Sequence, residues 1–204
     1  ATYPPTFWPR DSQFIVNYTK IWTEAPFLLW IRNSVIVTGL NLLGAIASAS
    51  VVAYAFARFD FPGKNVWFFI MLSTMMLPGE VTLIPSYLIF KTLGWVDTFK
   101  PLVVPAYFGG GAFNIFLLRQ FYMTIPRELD EAAEMDGAGP LRIFLTLILP
   151  LSKPAIATAA ALGFIGNWNN FMGPLIYLNS PDKFTATLGL RYFMQGTTSV
   201  QFSA

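Results

Sequence analysis

Four apolar stretches, separated by short polar ones, set the plan of the chain. Residues 35–57 hold no charged side chain. As one helix rising roughly 1.5 Å per residue, that run covers the ~30 Å hydrocarbon core of a bilayer. Its small residues, from Gly39 through Gly44, Ala45, Ala47 and Ser48 to Ser50, suit close helix packing in lipid. Residues 66–90 form a second run, but Pro78, Gly79 and Pro85 interrupt it and Glu80 lies inside, so a broken span is predicted. Residues 101–121 form a third, with Gly109-Gly110-Gly111 at its middle. Each of those glycines weakens a helix by about 1 kcal/mol against alanine, which predicts a bend, an unwound turn or a close helix contact. Residues 155–178 form the fourth and contain Asn167-Trp168-Asn169-Asn170 and Pro174.

The polar stretches differ among themselves. Residues 1–32 mix prolines with Phe7, Trp8, Tyr18, Trp22 and Trp30, which suits a membrane–water boundary, and a short interfacial helix is predicted at 12–22. Residues 58–64 form a tight turn, 91–100 a connector, and 180–204 a mixed aqueous segment. The region 122–154 stands apart. Five of the chain's eleven acids, Glu128, Asp130, Glu131, Glu134 and Asp136, crowd into it. Pro126 suits a helix start. The first acids then fall where the helix dipole favours negative charge. Gly137 can end that helix in a left-handed conformation. Gly139-Pro140 opens a second helix, expected to run to about Leu149, with Pro150 and Pro154 bending or ending it.

Composition places this plan in a membrane. The chain of 204 residues is 54% hydrophobic and 12% charged, about half the usual charged share, and its mean hydropathy is +0.52. The fold class predicted is all-α, a polytopic transmembrane helical bundle with four spans. A net charge of +2 is too small to argue for nucleic acid. No cysteine or histidine is present, which removes thiolate metal sites and the commonest metal ligand and general base. No G-x-S-x-G and no G-x-x-x-x-G-K-[ST] occurs, so neither a serine nucleophile nor ATP hydrolysis is expected here. No catalytic residue, metal site or cofactor is predicted.

Glu131-Ala132-Ala133, then Gly137 after three residues, Leu147 after nine more, and Leu149-Pro150 resemble the EAA motif of ABC importer permeases. That family usually has isoleucine where this chain has Leu147. Ala53-Tyr54-Ala55-Phe56-Ala57-Arg58, with Phe61-Pro62-Gly63-Lys64, is similar to its carbohydrate, maltose-type branch. The likeness runs from Tyr3-Pro4-Pro5 to the region of Thr185 and Leu188-Gly189-Leu190. It implies a single permease domain in the bacterial inner membrane, with the loop 122–154 cytoplasmic and both chain ends on the other side. Its coupling helix, carrying Glu131, Ala132, Ala133, Met135, Asp136 and Gly137, would dock into a cleft of an ATP-hydrolysing subunit. Partners implied are a homodimer of ABC ATPase subunits, a second permease, an extracellular sugar-binding protein and membrane lipid. Such permeases usually carry one more span before and one after, so this chain is expected to be an internal portion of a six-span one. The positive-inside rule does not decide orientation. Arg58, Lys64, Arg119, Arg127, Arg142 and Lys153 lie on the corner's side, against Arg10, Lys20, Arg32, Lys91, Lys100, Lys183 and Arg191 on the other.

Candidate solute contacts are fewer. An ionised Glu80 at mid-bilayer is unfavourable by the order of 3 kcal/mol, so it either lines a polar path or lies near the aqueous end or pairs internally. Asn167, Asn169 and Asn170 offer donors and acceptors to sugar hydroxyls, and the indole of Trp168 offers a flat face to sugar C–H groups. Asparagines in membrane helices equally bond neighbouring helices. Asn114, in the third run, is counted with this group. Competing functions are an importer of another solute such as an amino acid or osmolyte, a membrane-embedded enzyme using Glu80 with a second acid, and a structural membrane subunit.

Overall fold

The computed structural model describes residues 25–201, with side chains described through residue 195. All regular elements among them are helical. The helix expected at 12–22 lies outside the described residues.

Helix α1, Phe27–Arg58, organises the rest. It begins before residue 35, so the end of the expected aqueous lead-in is helical. Pro26 sits at its cap, and the polar side chains of its first two turns find partners far along the chain. Trp30 Nε1 donates to the Pro181 carbonyl at 2.8 Å. Asn33 Nδ2 donates to the carbonyls of Asp182 at 2.8 Å and Phe184 at 3.0 Å. The Ala186 amide donates to Ser34 Oγ at 2.8 Å.

The second run is broken, as its prolines predict. Helix α2, Lys64–Ser73, passes through a 3₁₀ turn, Thr74–Met76, into α3, Gly79–Thr92, across a bend of 97°. Only Pro78 and Gly79 mark the break. Pro85 stays inside α3, where the sequence had suggested a further interruption. The third run starts as α4, Lys100–Val103, tightens to 3₁₀ over Val104–Tyr107, and unwinds before α5, Ala112–Thr124. Gly109, Gly110 and Gly111 all take positive φ, at 101°, 65° and 87°. Polar groups of α1 secure this irregular stretch. Asn41 Nδ2 donates to the Leu102 carbonyl at 2.7 Å, and Ser48 Oγ donates to that of Ala106 at 2.9 Å.

Two helices make the acidic corner: α6, Glu128–Met135, and α7, Pro140–Leu151. The middle of α7, Phe144–Ile148, widens into a π-helical turn. Pro150 follows directly, lacking an N–H to continue the ordinary ladder. The chain bends by 73° at Ser152 into α8, Lys153–Trp168. Thus α7 is not a free-standing short helix; it and α8 form one apolar, bent pair. The fourth run is also not one helix over 155–178. It stops at Trp168 and resumes as α9, Met172–Tyr177. A 3₁₀ turn, Pro181–Lys183, leads to α10, Ala186–Gln201.

By length and composition, α1 and the stretch Lys100–Thr124 can each cross a bilayer, and the two bent pairs reach that length together. Two apolar clusters sit at opposite ends of α1, which is about 48 Å long at 1.5 Å per residue. One, around Trp30, gathers Leu178, Phe184 and Leu188. The larger lies beneath the acidic corner and packs Ala49, Ala53 and Ala57 of α1 against Leu118 and Tyr122 of α5 and Ile143 and Ile148 of α7. The alanines recur every four residues and so form one small-residue stripe, which lets α5 and α7 approach the α1 backbone.

Candidate functional site

The corner helix α6 is amphipathic in an unusual sense: alanine and one aspartate face inward, acids and a methionine face outward. Its first turn carries Glu128, Asp130 and Glu131, where the helix dipole favours carboxylates. Its last turn closes in a Schellman motif. The Gly137 amide donates to Glu134 at 2.9 Å and the Ala138 amide to Ala133 at 2.9 Å, with Gly137 at φ 78°.

The two faces have separate uses. Ala133 and Ala138 pack against the large cluster. Asp130 is drawn to α1, where its Oδ2 lies 2.8 Å from Arg58 Nε. Burial pushes the Asp130 carboxyl above the usual carboxylate range, while the Arg58 guanidinium pulls the other way. Arg58 Nη2 also donates to the Ile125 carbonyl at 3.0 Å, just ahead of α6. Tyr54 Oη donates to the Pro140 carbonyl at 3.2 Å, just after it. The last turn of α1 therefore holds the corner from both flanks and from beneath.

The outward face has no such ties. Glu131, Ala132, Met135, Asp136 and Gly137 are exposed, and Met135 is 89% exposed, the most open large apolar side chain among the described residues. Of the six residues singled out from the sequence, only Ala133 turns toward the body of the protein. The result is a rigid, acid-fringed knob with a soft apolar tip, suited to insertion in a partner's cleft.

The residues proposed for solute contact lie elsewhere, in three separate places: Glu80, Asn114 and the stretch 167–170, where the Asn170 amide donates to the Asn167 carbonyl at 3.2 Å. Glu80 is exposed in the first turn of α3, at the 97° bend. Asn114 Nδ2 donates to Gly110 at 2.8 Å, within the turn that ends the glycine stretch. Asn167 and Asn169 donate back to the carbonyls of Gly163 and Ile165, each at 2.9 Å. Asn170 Oδ1 accepts the Gly173 amide at 3.1 Å. Trp168 stacks on Phe164, with ring centroids 5.4 Å apart. These asparagines bond the backbone of their own segment rather than a neighbouring helix. They shape the interruption between α8 and α9, competing with the regular ladder as short polar side chains do.

Asp97 is a second polar centre that sequence reasoning did not single out. Its only sequence signal is a place in the turn-like stretch after Gly94. It adopts φ 60°, uncommon outside glycine, and gathers the segment 177–183 around itself. Its Oδ1 accepts the amides of Asn179 and Ser180, each at 3.0 Å, and its Oδ2 accepts Ser180 Oγ at 2.6 Å.

The chain is similar to known proteins in sequence and in fold. The family described as "Binding-protein-dependent transport system inner membrane component" matches residues 41–204. The sn-glycerol-3-phosphate transport system permease protein UgpE of Salmonella choleraesuis is 35% identical over an alignment covering 96% of this chain and 72% of that one. The arabinooligosaccharides transport system permease protein AraQ of Halalkalibacterium halodurans is 35% identical, with 85% of this chain and 62% of that one covered. The crystal structure of a bacterial ABC transporter that imports the acidic polysaccharide alginate superposes with a TM-score of 0.78 at 28% identity, over 86% of this chain and 61% of that one. The chain thus spans roughly three-fifths to three-quarters of these relatives. With the family matched over most of its length and relatives above the level where homology is in question, this chain belongs to the binding-protein-dependent transport system inner membrane components.

Proposed function

We propose that this chain is a permease subunit of an ATP-driven importer that moves a sugar or sugar-like solute across the inner membrane. Solute arrives on an extracellular binding protein, a second permease completes the path, and two ATPase subunits supply the energy. The observation that carries the reading is α6: its inner face is fixed to α1 while Met135 and the acids around it stand free.

In this mechanism α6 is the docking element for an ATPase subunit. Met135 fills an apolar pocket, and Glu131 and Asp136 meet cationic groups at its rim. When ATP draws the ATPase subunits together, α6 moves with them. The helices packed on it tilt, and the cavity between the permeases opens to the other side of the membrane. Such a change requires a rigid element that both arrangements keep intact. Glu80, Asn114 and the stretch Asn167–Asn170 are proposed to border the solute path, since each sits at or beside a helix interruption, where polar groups in a membrane domain meet solutes. The solutes named for the relatives, sn-glycerol-3-phosphate, arabinooligosaccharides and alginate, favour polyhydroxylated cargo over amino acids.

The test is co-purification of the ATPase subunits from membranes, with uptake measured alongside. Glu131→Lys is expected to insert normally yet lose ATPase subunits and uptake. Normal uptake in that variant refutes the docking role, and uptake of amino acids in preference to sugars refutes the cargo class.

A further inference from the structure

We propose that the Arg58–Asp130 pair is the connection through which movement of α6 enters α1, and that α1 then carries it to the opposite end of the molecule. The inference rests on the docking reading above and adds the residues that transmit the movement.

Within the corner, α6 itself meets the rest of the protein through small apolar side chains. Ala133 and Ala138 lie on the large cluster, but methyl groups alone allow a short helix to slide. A fixed direction needs a polar contact, and Asp130–Arg58 is the only ion pair that joins α6 to another helix among the described residues. Both side chains are well covered, at 15% and 6% exposed, so solvent weakens the attraction little. Each also sits where a helix end favours its charge: Asp130 in the first turn of α6, Arg58 in the last turn of α1.

The pair is only half made. Arg58 Nε is 2.8 Å from Asp130 Oδ2 but is not angled for a hydrogen bond, and Asp130 Oδ1 is buried without a partner. Buried polar atoms are seldom left so. A contact that must serve two arrangements of α6 has reason to be perfect in neither.

What lies at the other end of α1 completes the route. Trp30, Asn33 and Ser34 bond the segment 181–186, which turns on Asp97 through Ser180 and Lys183. A push received at Arg58 is therefore delivered to a polar-bonded platform at the far end of the same helix. The last turns of α3 reach the same platform, with Tyr87 and Phe90 packed on Tyr177, while its first turn, with Val81, lies beside the 97° bend.

The chain has no cysteine, so spin labels can be placed cleanly. In the complete complex, Leu43→Cys on α1 and Val81→Cys on α3 give two exposed labels whose separation reports movement of α1. The distance is compared between the nucleotide-free and the ADP–vanadate-trapped complex. Expected is a shift in the otherwise native chain, cut by more than half in Asp130→Asn and in Arg58→Gln while the ATPase subunits stay bound. The charge exchange Arg58→Asp with Asp130→Arg should recover a good part of it. The proposal is overturned if either single variant shifts as the native chain does. It also falls if the singles shed the ATPase subunits, which would make the pair a folding contact, or if the exchange recovers nothing. A native chain that binds no ATPase subunit overturns the docking reading instead.

Discussion

The Lys183 ammonium lies 2.8 Å from Oδ2 of Asp97 and donates as well to the Asp97 carbonyl oxygen at 2.8 Å, across 86 residues of chain. Those contacts, foremost the Lys183 and Ser180 hydrogen bonds, hold the Asp97 carboxyl far below the usual carboxylate range. For an acid depressed in this way, the stabilisation is complete above the unfolded pKa of about 4. It is lost only as pH falls through the lower folded value. Asp97→Asn keeps the left-handed backbone, which asparagine tolerates, and removes the charge. Because the site is partly solvated, the expected loss is about 1 kcal/mol. In thermal unfolding of detergent-solubilised protein, the gap between native and variant should be flat from neutral pH down to about 5 and shrink below about 4. A gap that widens as pH falls excludes this role for Asp97.

Gly137 is required by its backbone. At φ 78° it donates to the Glu134 carbonyl and turns the chain from α6 toward α7. Alanine there should lose about 1 kcal/mol through left-handed strain alone. Proline, which fixes φ near −65° and cannot donate, should lose about 3 kcal/mol or more. If the corner is a rigid docking element, ATPase retention must follow the order native, alanine, proline, with membrane insertion unchanged in all three. Equal retention in the native chain and both variants rules out a need for rigidity.

The sequence already showed α6 and its stop, because helix propensity, an N-terminal acid cluster and a glycine are local signals. The break at Pro78-Gly79 and the unwound glycines were legible for the same reason. What escaped was everything that depends on a distant partner. Nothing near Asp130 reveals that it turns inward to Arg58 while Glu131 turns out; both are acids in the same helical turn. The apolar run 155–178 looked continuous because hydropathy does not register asparagines that bond their own backbone. Pro85 looked like a second breaker, yet α3 accommodates it. The start of α1 looked like the end of an aqueous lead-in because prolines and boundary aromatics fill residues 1–32, although Trp30 is buried and its indole donates to the Pro181 carbonyl.

Gly110 meets two constraints at once. It takes φ 65°, and a methyl group built on it would collide with the Ala45 carbonyl and come within 2.8 Å of the Ala49 methyl. Gly109 and Gly111 share the positive φ but have open space around them. Alanine at either neighbour should lose only the strain, about 1–2 kcal/mol. At Gly110 overpacking against the α1 backbone adds about 1–3 kcal/mol more. Thermal stability in detergent should therefore fall clearly further for Gly110→Ala than for the other two. Three equal losses would mean that α1 is not pressed against this turn.

Met135 and Ala133 lie two residues apart on α6 and should answer differently to substitution. Met135 is 89% exposed and touches little of its own chain, so Met135→Ala should leave stability within about 0.5 kcal/mol. If Met135 enters an apolar cleft, its truncation removes about 1–2 kcal/mol of burial from the complex. That corresponds to roughly tenfold weaker ATPase binding. Ala133 is half-buried and rests on the large cluster, so a larger side chain there must displace α6 or its neighbours. Ala133→Leu should destabilise the corner by about 1–3 kcal/mol, and any loss of ATPase binding should follow from that displacement. Titration of the ATPase subunit against each variant in nanodiscs, beside a melting curve, separates the two. Stable protein with weakened binding is expected for Met135→Ala, and a lowered melting point for Ala133→Leu. A Met135→Ala chain that binds as tightly as the native one would take the thioether out of the docking contact and leave it to the acids and Leu129, the other exposed large apolar side chain of α6.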